Sequence, residues 1–179
     1  RHLWSLAVEE QWYLLWPLLF AGVVAHKRIH SKVSGVICAV GAVAIMVFTA
    51  ARFVADDEMR ANVLYLSTFT RSSGLLLGAA VAFLWRPWRS SAVRIPKLRR
   101  VGADLVALAA VGALVFLSAT QHVFDESLYR WALALTSFAS ACIVAVVVRP
   151  GNTFAKMLFS NKALVEVGRR SYGLYLWHW

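Results

Sequence analysis

Residues 33 to 51 carry no charged side chain, and neither do residues 131 to 148. Each run approaches the length of about 20 mostly apolar residues that an α-helix needs to cross a bilayer. Inside hydrocarbon no water satisfies a backbone N–H or C=O, so a spanning segment must close its own hydrogen bonds. Three further stretches approach the same length, at about 4 to 25, 63 to 85 and 101 to 120, and another begins at 171. The expected fold is all-α: a polytopic transmembrane helical bundle of about five full spans plus the start of a sixth, one partial domain over residues 1–179.

Composition agrees with a membrane protein: 60% of residues are hydrophobic and only 16% charged, against about 25% charged in soluble domains. The net charge of +10 would raise nucleic-acid binding in a soluble chain. Here the basic residues fall between apolar runs, so the expected partner is the lipid bilayer and not nucleic acid. Connectors 26–32, 86–100 and 149–170 hold three, six and five Lys and Arg, 14 of the 19 in the chain. These face the cytoplasm by the positive-inside rule. Connectors 54–62 and 121–127 hold Arg60 against Asp56, Asp57, Glu58, Asp125 and Glu126, and face outward. The expected location is the cell membrane, as a multi-pass protein.

Cys38 and Cys142 each lie in an apolar run, where a free thiol packs as a small hydrophobe. The sequence contains no metal-spaced Cys/His cluster, glycine-rich phosphate loop or nucleophile elbow, so neither a metal nor a bound cofactor is expected. The chain begins Arg1-His2 without a signal peptide and stops at Trp177-His178-Trp179, a few residues into an apolar segment. It is expected to be a piece of a larger membrane domain, incomplete at both ends. Connector 149–170 includes an amphipathic run suited to a short helix on the inner surface.

The residues that could carry chemistry begin in the first segment. On a helix Ser5, Glu9 and Tyr13 recur at i, i+4 and i+8, lining a hydroxyl, a carboxylate and a phenol along one face roughly 6 Å apart. Such a row can hold a polar substrate or move a proton. Glu10 lies about 100° away around the helix and meets a different neighbour. The alternative for both acids is the headgroup region, beside an aromatic belt of Trp4, Trp12 and Trp16. Arg71 is the lone charge between Val63 and Trp85 and needs a partner. Glu9, Glu10 or an anionic substrate group could supply one; otherwise the side chain snorkels to the outer interface. Tyr65, Thr68 and Thr70 could line a polar path beside it, although hydroxyls in membrane helices more often serve helix packing, and Asp104 opens the fourth segment at the inner face. His178 could share a helical face with Ser171 and Tyr175 or serve only in packing.

Three segments resemble the membrane-bound acyltransferase-3 family. His2-Leu3-Trp4-Ser5-Leu6-Ala7-Val8-Glu9-Glu10-Gln11-Trp12-Tyr13 is similar to its Ser-x3-Glu-x3-Tyr signature. Thr70-Arg71-Ser72-Ser73-Gly74-Leu75-Leu76-Leu77-Gly78 resembles its Thr-Arg segment, and Gly168 to Trp179 its late helix. The resemblance implies an enzyme that transfers an acyl group, with acetyl expected, from cytoplasmic acyl-CoA to a hydroxyl of an extracytoplasmic glycan or glycolipid. It makes Glu9, with Ser5 and Tyr13, the expected catalytic set, and Arg71 a structural or site arginine; Arg71, Glu10 and His178 are the expected substrate-binding residues.

The chain also departs from the family pattern. The family's earlier Arg-x10-His motif, whose histidine is taken as the catalytic base, would lie upstream of Arg1, and Ser73 stands where an acid is common. The polypeptide alone is therefore expected to be inactive unless another segment supplies the base. Two other functions fit the residues: a transporter relaying a proton or substrate through Glu9 and Arg71, and a non-catalytic membrane remnant.

Overall fold

The computed structural model describes residues 10–18, 21–22, 31–53, 58–85, 96–121, 125–151 and 153–177. These residues form helices and connecting turns, with no strand among them. Helix α1 covers residues 10–18. It is followed by α2 (Ser31–Arg52), α3 (Glu58–Leu66), α4 (Thr68–Leu84) and α5 (Lys97–Thr120). A π-helical turn, Leu128–Ala132, runs into α6 (Leu133–Val147), and α7 (Phe154–Phe159) and α8 (Lys162–Trp177) complete the described chain. Three helical stretches are long and apolar enough to cross a membrane, Ser31–Arg52, Lys97–Thr120 and Leu128–Val147, and α4 is a shorter apolar helix.

The structure departs from the sequence reading in two places. The expected third span is interrupted: Ser67 has extended backbone (φ −66°, ψ 128°) and its hydroxyl caps α4 by accepting from Phe69 N at 3.2 Å. Serine stabilises a helix start because its short side chain reaches the unpaired amides of the first turn. The second departure is α8, which runs without a break from Lys162 through Gly168-Arg169-Arg170 to Trp177, so the last helix starts nine residues before the expected position 171. Its polar side carries an i,i+4 pair, Arg170 Nε to Glu166 Oε1 at 2.7 Å.

The most extensive contact joins α2 to α4, and the next joins α5 to α6, with α4 also meeting α6. The α2–α4 pair is antiparallel: Ser31 Oγ donates to Phe83 O at 3.2 Å near one end, and the Phe48 and Phe69 rings meet edge-on at 5.6 Å near the other. Apolar surfaces gain nothing by leaving lipid for each other, so membrane helices associate through small residues that let their backbones approach. Gly35 supplies such a contact, since a Cβ there would lie 2.6 Å from Leu84 Cγ and 3.1 Å from Phe83 Cβ. On α5, Ala103, Ala107 and Ala110 form a buried stripe at helical spacing, and the first two pack with Val146 and Ala155.

The helix ends sort into two groups. Phe53, Leu64, Tyr65 and Tyr129, which flank the acidic connectors, come together in one cluster. At the opposite end, flanking the basic connectors, Trp85 Nε1 donates to Ala145 O at 3.1 Å and the Arg149 guanidinium lies 5.4 Å from the Trp85 ring centroid. There Asp104 also finds its partners, accepting from Phe154 N at 3.2 Å and Ala155 N at 2.9 Å. It shares the start of α7 with Thr153, whose hydroxyl accepts from Lys156 N. The carboxylate occupies the positive end of the helix dipole.

Two outcomes follow from this packing. In detergent, Gly35→Ala should be less stable than Gly41→Ala, whose added Cβ would meet only Leu76 Cδ1 at 3.5 Å. Both variants gain the same helix propensity, so the difference in unfolding free energy isolates the clash and should be about 1–3 kcal/mol. Asp104→Ala should cost about 0.5–2 kcal/mol, the usual loss of a capping side chain, and should raise proteolytic cleavage near α7.

Candidate functional site at the outer end of the bundle

The end assigned to the outside by the charge distribution carries the residues of interest. Its geometry follows from the interruption at Ser67. A helix end leaves carbonyls without their usual i+4 donors, and the next turn supplies substitutes. The Thr70 hydroxyl lies 2.5 Å from Leu64 O, and Arg71 Nε donates to Tyr65 O at 3.0 Å; Thr70 also lies 3.0 Å from Ser67 O, which keeps its helical donor, Arg71 N, at 3.2 Å. The Arg71 guanidinium also sits over the Tyr65 ring, 4.3 Å from its centroid. The lone arginine therefore has a partner, a carbonyl and the negative face of a phenol ring. Among the described residues no carboxylate pairs with it.

Beneath this pair lies a small aromatic core. Tyr129 is buried on the π-helical turn and stacks on Phe53 with ring centroids 4.6 Å apart and planes 12° apart. Leu64 packs against it, with Tyr65, Leu128 and Leu133 at the edge. A π-helical turn widens the backbone by one residue and is often found where a side chain has to be aimed; here it carries Tyr129 into contact with α3. The same end of α6 is held by an ion pair between Arg130 Nη2 and Glu126 Oε1.

Beside these residues is a groove of about 890 Å³ between one face of α3 and the first turn of α4. Met59, Val63, Leu66 and Phe69 provide its apolar wall, and Asn62, Ser67 and Thr68 provide its polar groups. Helix α1 reaches the same place, because the Thr68 hydroxyl donates to Gln11 Oε1 at 3.1 Å. Gln11 sits between Glu10 and Tyr13, so the segment carrying the Ser-x3-Glu-x3-Tyr pattern meets the start of α4 one turn from Arg71.

The sequence-predicted residues stand as follows. Tyr13 is 74% exposed and Glu10 is also exposed, both on α1. Arg71 lies at the start of α4, beside Tyr65 and Thr70. Ser5, Glu9 and His178 fall outside the described residues. Sequence reasoning named Tyr65, Thr68 and Thr70 as residues that could line a polar path beside Arg71 or serve packing, without pairing Tyr65 with the arginine, and it missed Gln11, Asn62 and Tyr129. Gln11 stood inside the quoted motif as a polar residue beside Glu10. Tyr129 had no comparable signal.

The profile of a family described as an acyltransferase domain matches residues 1–179. The O-acetyltransferase OatA of Staphylococcus aureus strain NCTC 8325 / PS 47 is 35% identical over 179 residues, which is 100% of this chain and 29% of that protein. OatA of strain MRSA252 is likewise 35% identical over 179 residues, again 100% of this chain and 29% of its own. The chain thus spans less than a third of the length of these curated relatives. No solved structure matches it.

The Arg71–Tyr65 contact can be measured by a double-mutant cycle. Arg71→Gln and Tyr65→Leu should couple by about 0.5–1 kcal/mol in unfolding free energy, whereas Tyr65→Phe keeps the ring and should lose little of that coupling. Additive effects of the first two substitutions would show that the stacked pair is not an energetic unit.

Proposed function

The chain belongs to the acyltransferase domain family, and from that premise we propose that it is part of an integral membrane O-acyltransferase of the cell membrane. The donor is acyl-CoA, expected to be acetyl-CoA, on the cytoplasmic side. The acceptor is a hydroxyl of an extracytoplasmic carbohydrate or glycolipid. The observation that carries this reading is the meeting of two motif segments that are remote in sequence: Gln11, within the Ser-x3-Glu-x3-Tyr segment, bonds to Thr68, three residues before Arg71.

The chemistry asks for few groups. The acceptor hydroxyl loses its proton to a base, its oxygen bonds to the acyl carbonyl carbon, the thioester C–S bond breaks, and the thiol leaves with a proton. The family resemblance assigns that base to a histidine supplied by another segment, and Glu9 is the carboxylate of this chain suited to orient the hydroxyl or relay its proton. Ser5 and Tyr13, four residues before and after it in sequence, can hold the hydroxyl being acylated. Arg71, held by Tyr65, presents the remaining edge of its guanidinium fork to a developing oxyanion or to a carboxylate of the acceptor. The basic connectors 26–32, 86–100 and 149–170 carry the charge that attracts the donor's phosphates at the inner face.

The test is labelled acetyl transfer from acetyl-CoA to envelope glycans in membranes carrying the full-length protein. Glu9→Gln should insert at the wild-type level and lower transfer by about 10²–10⁴-fold, the usual contribution of a positioned acid or base. Full activity in this variant would remove Glu9 from the mechanism.

A further inference from the structure

The groove between α3 and α4 has a lining that selects a ligand class. None of the described residues lining it is charged, so this described lining offers no ion pair to a phosphate or carboxylate. A plain acyl chain is also a poor occupant, because it would cover Asn62, Ser67 and Thr68 without replacing their hydrogen bonds to water, at a cost for each polar group left unpaired. The lining instead suits a neutral ligand with C–H faces and many hydroxyls. Its volume, about 890 Å³, falls within the range of pockets that bury compact organic ligands.

The polar and apolar groups are also arranged for such a ligand. The Phe69 ring is held edge-on against Phe48, centroids 5.6 Å apart and planes at 90°, which gives the groove a fixed aromatic wall. The Ser67 hydroxyl is engaged at the helix cap and the Thr68 hydroxyl donates to Gln11, and each oxygen keeps a lone pair for a further donor. Asn62 makes no hydrogen bond with the described residues, so its amide can donate and accept at once. Two of these polar residues lie in the cap and first turn of α4, and one is bonded to the motif segment itself.

We propose that this groove is the acceptor subsite, seating a neutral saccharide ring with its C–H face on Phe69 and Met59 and its hydroxyls on Asn62 and Thr68. The assignment rests on the acyltransferase reading above and adds to it the place where the acceptor is held. Seated there, the saccharide lies between α3 and α4, one turn along α4 from Arg71 and beside the segment that carries Tyr13.

The test is a kinetic comparison in membranes carrying the full-length protein, with labelled acetyl-CoA as donor and the saccharide fraction released from the cell envelope as acceptor. Asn62→Leu keeps the side-chain size and removes the amide. Met59→Trp, at a residue 79% exposed, fills the groove from its rim without disturbing a packed neighbour. Each should raise the acceptor KM at least tenfold, while kcat at saturating acceptor and the KM for acetyl-CoA stay within twofold of wild type. If the wild type acylates the fraction and both variants keep its acceptor KM, the groove is not the subsite and the acyltransferase reading stands. If the wild type acylates no saccharide, that reading falls and the subsite with it.

Discussion

A helix interrupted at the edge of a membrane must dispose of the carbonyls that the interruption frees, and this requirement organises the outer end of the molecule. An unsatisfied carbonyl costs several kcal/mol in hydrocarbon. The chain meets the requirement with its own next turn: Thr70 serves Leu64, and Arg71 serves Tyr65. An arginine that would otherwise be expensive in an apolar segment is thereby fixed by a backbone acceptor and an aromatic face. The same interruption opens the space between α3 and α4, so the position of Arg71 and the existence of the groove have one cause.

That arrangement depends on α4 being held firmly, and α2 holds it. The two helices run antiparallel from the Ser31–Phe83 hydrogen bond to the Phe48–Phe69 contact, and Gly35 brings their backbones close at one end. The remaining helices form a second pair, α5 with α6, tied at the inner end by Asp104 and α7 and met by α4 near Gly74 and Ser137. Polar side chains within the helices are mostly satisfied locally: Thr49 and Thr136 donate to the carbonyl four residues back, and Ser137 does the same. Hydroxyls of this kind serve packing, which leaves the polar groups at the helix ends as those available to a substrate.

Much of this was legible in the sequence, for identifiable reasons. Charge-free runs have few alternatives to a membrane helix, and the alternation of basic and acidic connectors matches the sorting of helix ends seen in the structure. The acyltransferase resemblance, carried by short polar motifs in apolar surroundings, agrees with the family match over the whole chain. The interruption at Ser67 was not legible, because no glycine or proline marks it and the flanking residues suit a continuous helix. For the same reason the partner of Arg71 was missed. Residues 65 and 71 are six apart, which on an unbroken helix puts them on different faces, and they meet only because the helix stops between them. Asp104 reads as an isolated acid until the fold brings residues 154 and 155, some fifty positions away, against it.

The length of α4 has a consequence for the lipid around it. Its 17 residues span about 25 Å at about 1.5 Å per residue, less than the roughly 30 Å of a typical hydrocarbon core. The 22 residues of α2 and 24 of α5 are long enough to cross it fully. A short helix among longer ones is accommodated by local thinning of the bilayer or by water entering at its end. With the interruption at Ser67 lying at the outer end, the deficit falls on that side. Where the bilayer adapts by thinning, its outer boundary lies about 5 Å nearer Arg71. A polar group arriving from outside then has less membrane to enter before it reaches the helix carrying the arginine.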